Sequence, residues 1–340
     1  MLKKILLIAL LFLLSCQTKK NKDEERNILF LALKSYIEGI NGDNYAKLYS
    51  ANNLLFTNTS NTAFLTLAET ASGNSNKKLV MIHGWNSADR DDATSPSDSL
   101  LKSRILTQLW KDQLGTDFFT LAIAKGYSIY FFTYLTSNSI EKNSSRLKLA
   151  LDKAFSGEKN TVTIYSHSMG GLITKSAINS GDSSYISKVL AVGTPFHGSP
   201  WASSSFQATS SLLGELASFL TNTDGGKGLA WDNYDGSLSS SSNSFLINLA
   251  AQKSKDSLIT AFYSSIDKSG TGYNGSESSL LVACSALGDR YSPSDCIVPA
   301  KSARYENQTL AKTVDLGRFG HTEINLRQTT ARLLILAELP

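Results

Sequence analysis

Tyr165-Ser166-His167-Ser168-Met169-Gly170-Gly171 follows a short apolar run of β type and opens a helical pattern. A strand that passes into a helix through one tight turn holds the residue at the tip, here Ser168, in a strained conformation with its hydroxyl exposed. The two arms of such a turn nearly touch, so small neighbours are needed, and Gly170, Gly171 and Ser166 supply them. Ser166 stands where the usual Gly-x-Ser-x-Gly pattern has its first glycine. The pattern predicts a nucleophile elbow, with a strand–helix turn and a capping serine as the alternative.

Residues 78–85 predict a buried parallel strand that ends in the dipeptide His83-Gly84. In an acyl-transfer site, the backbone N–H after such a turn and the N–H after the nucleophile together bind the developing oxyanion. The two donors here would be Trp85 and Met169. An ordinary strand-ending turn is the alternative for this dipeptide, but its position one βαβ unit before Ser168 favours the oxyanion role.

A candidate acid and a candidate base follow Ser168 in the chain, the carboxylate first and the imidazole second. Asp295 lies in the segment 294–299, which predicts a strand-to-loop junction, and His321 lies in a loop just before the last helical pattern. Ser168 is a poor nucleophile at neutral pH, so a base must take its proton, and Asp295 would orient that base and stabilise its charged form. The chain has four histidines, and the other three are accounted for elsewhere. His321 is therefore the predicted base.

Together these segments resemble the bacterial lipase/esterase branch of the α/β-hydrolase superfamily, in which the triad follows the chain order Ser, Asp, His. The resemblance extends from residue 78 to about residue 337 and rests on five motifs: His83-Gly84-Trp85, Ser166–Gly171, Gly193–Ser199, Asp295–Pro299 and Gly320-His321-Thr322. It implies an α/β fold of the α/β-hydrolase type, with eight strands in a mostly parallel, twisted sheet and helices on both faces. It also implies hydrolysis of carboxylic esters by Ser168, His321 and Asp295. Ser166 is the one departure from these motifs.

Asp289 is the alternative acid, because Gly288-Asp289 also has the form of an acid loop. We favour Asp295, since Ile-Val-Pro follows it as it follows the acid in the lipases that the chain resembles, and Gly-Asp-Arg is typical of a surface turn. No metal-ligand spacing stands out, so we expect no metal and no cofactor. Lipases of this type sometimes bind calcium near the histidine loop, and Asp315 or Asp289 would be the candidate ligand.

The N-terminal residues predict a secretory signal. Met1-Leu2-Lys3-Lys4 is followed by an apolar run from Ile5 to Leu14, which is too short to span the ~30 Å core of a bilayer. Leu13-Leu14-Ser15-Cys16 resembles a lipobox, in which Cys16 becomes the lipidated first residue; a plain signal peptide is the alternative. We expect a signal peptide at 1–15, a lipidated tether at 16–27 and an α/β-hydrolase domain at 28–340. Gln17 favours the outer membrane of a bacterial envelope.

Two cysteines remain after Cys16, and an isolated pair in an oxidising compartment is expected to bond. A bridge between Cys284 and Cys296 would hold the loop that presents Asp295. Two unpaired, partly buried thiols are the alternative.

Strand and helix patterns alternate along the chain, which is typical of a doubly wound sheet. Two segments, 53–57 and 63–67, predict an antiparallel pair at the sheet edge, and an amphipathic helix is expected around residues 100–114. The alternation stops between about residues 198 and 257, so we predict a cap or lid insertion after the sixth strand.

Leucines and a phenylalanine between residues 212 and 220 share one helical face in this insertion. The helix either covers the acyl pocket and opens at a lipid surface, or is a fixed cap with its apolar face packed as core. Candidates for lining the pocket are Phe196, Trp201, Trp231 and Tyr234.

The sequence as a whole predicts a membrane-anchored serine hydrolase that acts on ester or lipid substrates. The net charge of +4 is modest, and no run of charge indicates nucleic acid. A thioesterase, amidase or acyltransferase with the same triad is an alternative, because these reactions share a tetrahedral intermediate. A surface lipoprotein that binds a partner without catalysis is a further alternative.

Overall fold

The computed structural model describes residues 53–60, 62–71, 75–86, 116–207, 222–238 and 243–340. Several predictions fall outside these residues: the signal peptide with Cys16, the tether at 16–27, the helix around residues 100–114 and the apolar helix face at 212–220. They stay predictions. Of the cap predicted at 198–257, the structure describes 198–207, 222–238 and 243–257. No helix within the described residues is long and apolar enough to cross a membrane.

One sheet forms the centre of the described chain, with the strand order β1-β2-β4-β3-β5-β6-β7-β8. Its strands are β1 Leu54–Thr57, β2 Ala63–Glu69, β3 Lys77–Ile82, β4 Tyr127–Tyr134, β5 Val162–His167, β6 Ile186–Val192, β7 Ile259–Tyr263 and β8 Lys312–Asp315. The pairs from β4 across to β8 are parallel, and β2 joins both of its neighbours in antiparallel fashion. The mostly parallel eight-stranded sheet and the antiparallel pair at its edge are confirmed.

Helices connect the strands. Those in the described residues are α1 Thr116–Ala124, α2 Ile140–Phe155, α3 Met169–Asn179, α4 Ser204–Gln207, α5 Asp224–Lys227, α6 Ser244–Ala251, α7 Leu281–Tyr291, α8 Ala300–Ala303 and α9 Thr329–Ala337. The longest, α2, shows why they start and stop where they do. The Ser139 hydroxyl accepts from the Lys142 N–H at 3.2 Å as an N-cap, and Gly157, at φ +86°, turns the chain away beyond the last turn.

The two faces of the sheet bury different sets of helices, because side chains alternate across each strand. In β3, Val80 and Ile82 face α2 and α3, whereas Leu79 and Met81 face α1 and α9. A fully buried aliphatic side chain of this kind contributes roughly 1.5–3 kcal/mol. The double-sided burial explains why the central strands are continuous apolar runs, and it confirms helices on both faces.

A third apolar cluster lies outside the two sheet faces. It combines Trp201 and Trp231 from the segment after β6 with Leu287 and Tyr291 of α7 and with the Cys284–Cys296 disulfide. Trp201 and Trp231 are almost fully buried, so they form the centre of this cluster. Phe196 is buried against Tyr305 in a different cluster, the one on the sheet face that packs against α2 and α3. The predicted disulfide is confirmed.

The register brings the functional segments to one edge. Ile82, the last residue of β3, pairs with Ser166 of β5, and His167 pairs with Val192, the last residue of β6. Parallel strands end at the same edge of a sheet, so the segments that follow β3, β5 and β6 begin side by side there. Carboxyl ends of parallel strands are where α/β proteins place their ligands.

Candidate active site

The turn after β5 has the strained geometry predicted for its tip. Ser168 has φ +54° and ψ −127°, a backbone conformation that residues other than glycine rarely adopt. It occupies the N-cap position of α3, but its hydroxyl makes no capping hydrogen bond to the helix. A capping serine, the alternative for this segment, is therefore wrong. The hydroxyl is directed elsewhere, toward His321.

Close packing around the turn explains the small residues. A Cβ on Gly170 would lie 2.6 Å from the His83 carbonyl oxygen, and a Cβ on Gly171 would lie 1.9 Å from the Thr194 hydroxyl. Ser166 is fully buried on the strand side, and its hydroxyl reaches the Leu190 carbonyl at 3.5 Å, so the departure from glycine is accommodated.

The structure brings Ser168, His321 and Asp295 into one hydrogen-bonded line. His321 Nε2 lies 2.9 Å from the Ser168 hydroxyl oxygen, and Nδ1 lies 2.7 Å from Oδ2 of Asp295. Because a carboxylate can only accept, Nδ1 carries the proton, and Nε2 is free to accept from the hydroxyl. All three residues are buried, with exposed fractions of 8%, 7% and 1% in the order given.

The Asp295 carboxylate is held by the backbone of its own turn. Oδ1 accepts from the N–H groups of Ile297 at 3.0 Å and Val298 at 2.6 Å, which leaves Oδ2 for the imidazole. The His321 N–H also donates to the Asp295 carbonyl at 3.0 Å. Two separate hydrogen bonds therefore fix His321 relative to Asp295.

The position predicted for Asp295 needs one correction. Strand β7 ends at Tyr263, and Asp295 lies in a turn beside Ser294, which forms isolated bridges with Ile266 and Pro299. The prediction of a strand-to-loop junction was wrong, because the side chain accepts from the N–H groups two and three residues further on and closes a tight turn instead of a strand.

The alternative acid lies elsewhere. Asp289 is on α7, its side chain is 82% exposed, and it pairs with Lys268 at 2.5 Å. Asp315 ends β8, is exposed, and accepts from the Gly317 N–H at 2.8 Å. No group of three or more acidic, histidine or cysteine side chains in the described residues could hold a metal. A calcium ion at Asp315 or Asp289 stays a prediction.

The predicted oxyanion donors flank the turn. Met169 is the first residue of α3, so its N–H has no acceptor within the helix and lies at the positive end of the helix dipole. Gly84 packs against Ser168, because a Cβ there would lie 2.9 Å from the Ser168 Cβ, and Trp85 is the next residue.

Two buried histidines, His83 and His167, lie next to the turn at Ser168. His83 stacks on Tyr134, its Nδ1–H donates to the Gly84 carbonyl at 2.8 Å, and its Nε2 accepts from the Tyr134 N–H at 3.3 Å. Burial lowers the pKa of His83 to about 4, with the bond to Gly84 acting in the opposite direction. His167 donates through Nε2 to the His321 carbonyl at 3.1 Å, and burial holds its pKa well below the usual value. Both rings are therefore neutral at neutral pH.

Two residues to which the sequence patterns assigned no role also lie at this edge. Gly193, at φ +56°, follows β6, and a Cβ there would lie 3.2 Å from Cε1 of His321 and 3.3 Å from Oδ2 of Asp295. Glu323, two residues after His321, is a buried carboxylate with 1% exposure. A Gly after a strand and a Glu near the proposed base are the weak signals that mark these positions.

Comparisons with known proteins agree with this architecture. The family model for lecithin:cholesterol acyltransferase matches residues 135–211, which include β5, Ser168 and α3. A lipase from Bacillus licheniformis, in its propeptide form, is 19% identical with a TM-score of 0.52, and the match covers 82% of this chain and 54% of that one. The chain therefore spans about half the length of that propeptide form.

The mature form of the same lipase is 18% identical with a TM-score of 0.50, and the match covers 80% of this chain and 96% of that one. The fold is that of the α/β-hydrolases. No curated protein shows significant sequence similarity to the chain. In the α/β-hydrolase fold, the turn between a central strand and the next helix is where a serine nucleophile is presented, and Ser168 occupies that turn.

Proposed function

We propose that the chain is a membrane-anchored serine hydrolase that cleaves carboxylic esters, with acyl or lipid esters as substrates. The observation that carries the proposal is the line of hydrogen bonds from Ser168 through His321 to Asp295, with distances of 2.9 and 2.7 Å. A serine hydroxyl, a neutral imidazole acceptor and an orienting carboxylate are the three parts that nucleophilic acyl transfer requires.

Acylation begins when the Ser168 oxygen attacks the ester carbonyl and its proton moves to Nε2 of His321. The imidazolium that forms is stabilised by Asp295, to which Nδ1 already donates. His321 then returns the proton to the leaving alcohol, and an acyl-enzyme remains on Ser168.

The negative charge on the tetrahedral intermediate would be bound by the N–H groups of Met169 and Trp85. Each such donor is worth roughly 3 kcal/mol of transition-state stabilisation, and the N-terminus of α3 adds a favourable dipole. In the second half of the reaction, His321 removes a proton from water as the water oxygen attacks the acyl-enzyme. The bond between the acyl carbon and the Ser168 oxygen then breaks, His321 returns the proton to that oxygen, and the carboxylic acid is released.

Anchoring is proposed from Cys16. Several acyl chains on that residue would hold the protein stably at a membrane, whereas a single chain binds only marginally. We place the protein in the bacterial cell envelope, with the outer membrane favoured by Gln17.

Acyl transfer to an alcohol is a second candidate, favoured by the match of residues 135–211 to the lecithin:cholesterol acyltransferase family. The same acyl-enzyme would then be consumed by a lipid alcohol in place of water. Activity assays with and without an added acceptor alcohol separate the two, since a transferase yields the new ester and a hydrolase yields the free acid.

The deciding experiment compares the fragment that starts at Gln17 with its Ser168→Ala variant on p-nitrophenyl esters from acetate to palmitate, with and without a micellar interface. Loss of the nucleophile is expected to lower turnover by about 10⁶-fold. A fluorophosphonate probe should label the wild-type fragment at Ser168.

Ser145→Ala is the matched control, because this serine is exposed on α2 and its hydroxyl donates to the Glu141 carbonyl of its own helix. It should retain full activity. Equal inertness of the wild-type fragment and Ser168→Ala across all chain lengths, with no fluorophosphonate label, would overturn the proposed hydrolase and favour a non-catalytic binding protein. Anchoring is checked separately, by incorporation of labelled palmitate into the full chain and its absence from Cys16→Ala.

A further inference from the structure

Glu323 is a buried carboxylate that the proposed reaction does not use. It lies two residues after His321, its side chain is nearly inaccessible, and its hydrogen-bond donors are all uncharged groups. An ionised carboxylate in such a place is costly unless most of its lone pairs accept hydrogen bonds.

Both oxygens of this carboxylate accept bonds. Oε2 accepts from the Gly320 N–H at 2.8 Å and from the Tyr273 hydroxyl at 2.6 Å. Oε1 accepts from the Ser276 N–H at 2.5 Å and its hydroxyl at 3.2 Å, and from the Glu277 N–H at 3.3 Å. The Gln328 side-chain amide donates to Oε1 as well, at 3.3 Å.

These bonds join two segments that are distant in sequence. Gly320 directly precedes His321, whereas Tyr273, Ser276 and Glu277 belong to the connection between β7 and α7, which leads on to Asp295. Two glycines make the approach feasible, because a Cβ on Gly275 would lie 2.0 Å from Oε2 of Glu323 and a Cβ on Gly320 would lie 3.2 Å from it. The carboxylate therefore stands between the loop of the proposed base and the connection that carries the proposed acid.

We propose that Glu323 is a positioning residue, whose carboxylate fixes the Gly320–Thr322 loop so that His321 stays in line between Ser168 and Asp295. This inference rests on the proposed function. Glu323 does not reach Ser168 or substrate; it acts through the Gly320 backbone, one residue from the imidazole. A shift of about 1 Å in a reacting group can lower a rate by about 100-fold, so a carboxylate that sets this loop has a measurable kinetic effect.

The ionised form of Glu323 is the one that the site favours. Burial opposes the charge, but the bonds from Tyr273, Ser276 and Gly320 outweigh it and hold the pKa of Glu323 below its usual range. An amide cannot replace this carboxylate, since either orientation of a glutamine would direct its NH₂ group at N–H donors. Glu323→Gln is therefore expected to displace the Gly320–Thr322 loop, although glutamine and glutamate side chains are almost equal in size.

The test uses the full chain and p-nitrophenyl butyrate, with Glu323→Gln compared with wild type and with Glu338→Gln. Glu338 is a suitable control, because it too is a largely buried, paired carboxylate, but it bonds to Lys188 and Lys312 at the opposite edge of the sheet. We expect Glu323→Gln to lower kcat by about 10- to 100-fold with KM nearly unchanged, and to alter the pH profile of kcat. Glu338→Gln should leave kcat unchanged.

A spectroscopic readout separates positioning from a loss of stability. The proton shared by Nδ1 of His321 and Asp295 should give a downfield NMR resonance in the wild type, and this resonance should shift or broaden in folded Glu323→Gln. Tyr273→Phe removes one donor to Oε2 and serves if the first variant fails to fold; it should lower kcat in the same direction by a smaller factor.

The positioning role is overturned if folded Glu323→Gln keeps the wild-type kcat, pH profile and downfield resonance. If that variant does not fold, the same result in Tyr273→Phe overturns it. Either result leaves the proposed hydrolase intact. Absence of fluorophosphonate labelling in the wild type would instead refute the proposed function.

Discussion

Nε2 of His167 donates a 3.1 Å hydrogen bond to the carbonyl oxygen of His321, so the residue before Ser168 holds the backbone of the residue proposed to take its proton. The two rings are also close, with centroids 4.7 Å apart. The end of β5 thus supports the proton acceptor and the turn after it supplies the hydroxyl, although 154 residues separate the two histidines.

This contact predicts a kinetic role for His167. His167→Phe keeps a ring in the buried space but leaves the His321 carbonyl without its donor, and one such bond is worth about 1 kcal/mol. We expect kcat on p-nitrophenyl butyrate to fall by about five- to tenfold. His167→Gln, whose amide can donate to the same oxygen, should recover part of the loss. Equal rates for wild type and His167→Phe would contradict the role.

The assignment of Asp295, and not Asp289, as the acid predicts different effects of the same substitution at the two positions. In Asp295→Asn, the side-chain oxygen must face the N–H groups of Ile297 and Val298, so the NH₂ group faces Nδ1 of His321. The imidazole is then forced into the tautomer that carries its proton on Nε2, which cannot accept from Ser168.

Turnover of Asp295→Asn should therefore fall by about 10⁴-fold, as measured by initial rates on p-nitrophenyl butyrate. Asp289→Asn is the matched control, and it should keep wild-type turnover because its carboxylate is exposed and pairs with Lys268. The reverse pattern would show that the acid had been assigned to the wrong residue.

Local patterns were sufficient to predict most of the fold. The apolar runs that became β3, β5 and β6 are buried on both sheet faces, and the Gly-rich turn at Ser168 has to be small because Gly171 packs against Thr194. His321 could be inferred because few histidines remained once the others had been placed. Each of these predictions needed only the residues of one strand or one turn, or the number of histidines in the chain.

Contacts between distant segments could not be predicted in the same way. Glu323 accepts bonds from residues 46 to 50 positions earlier in the chain, and nothing near Glu323 or Tyr273 indicates that they meet. The turn at Asp295 was mistaken for a strand end because the pattern of Ile297 and Val298 is apolar and β-branched, whereas the backbone bonds to the carboxylate decide its conformation.

The disulfide predicts a loss of stability on reduction. Cys284 and Cys296 are 12 residues apart, and closing a loop of that size stabilises the folded state by roughly 3 kcal/mol. Urea unfolding with and without dithiothreitol measures the difference. The double variant Cys284→Ser, Cys296→Ser should match the reduced wild type and should not respond to reductant. An unfolding midpoint that reductant leaves unchanged in the wild type would count against the bridge.

Protonation of buried His83 predicts a dependence of stability on pH. Burial lowers its pKa to about 4 in the folded chain, whereas an unfolded histidine has a pKa of about 6.5. Between these values the unfolded chain binds a proton that the folded chain does not, so the free energy of unfolding falls as pH is lowered through this window.

The loss attributable to His83 is up to about 3 kcal/mol and is complete below about pH 4. Carboxylates titrate in the same region, so the informative quantity is the difference in unfolding free energy between wild type and His83→Gln, measured by urea unfolding at several pH values. Glutamine cannot take up the proton, so the difference should shrink as pH falls from 6.5 to 4. A difference that is constant with pH would mean that burial does not hold His83 neutral in the folded chain.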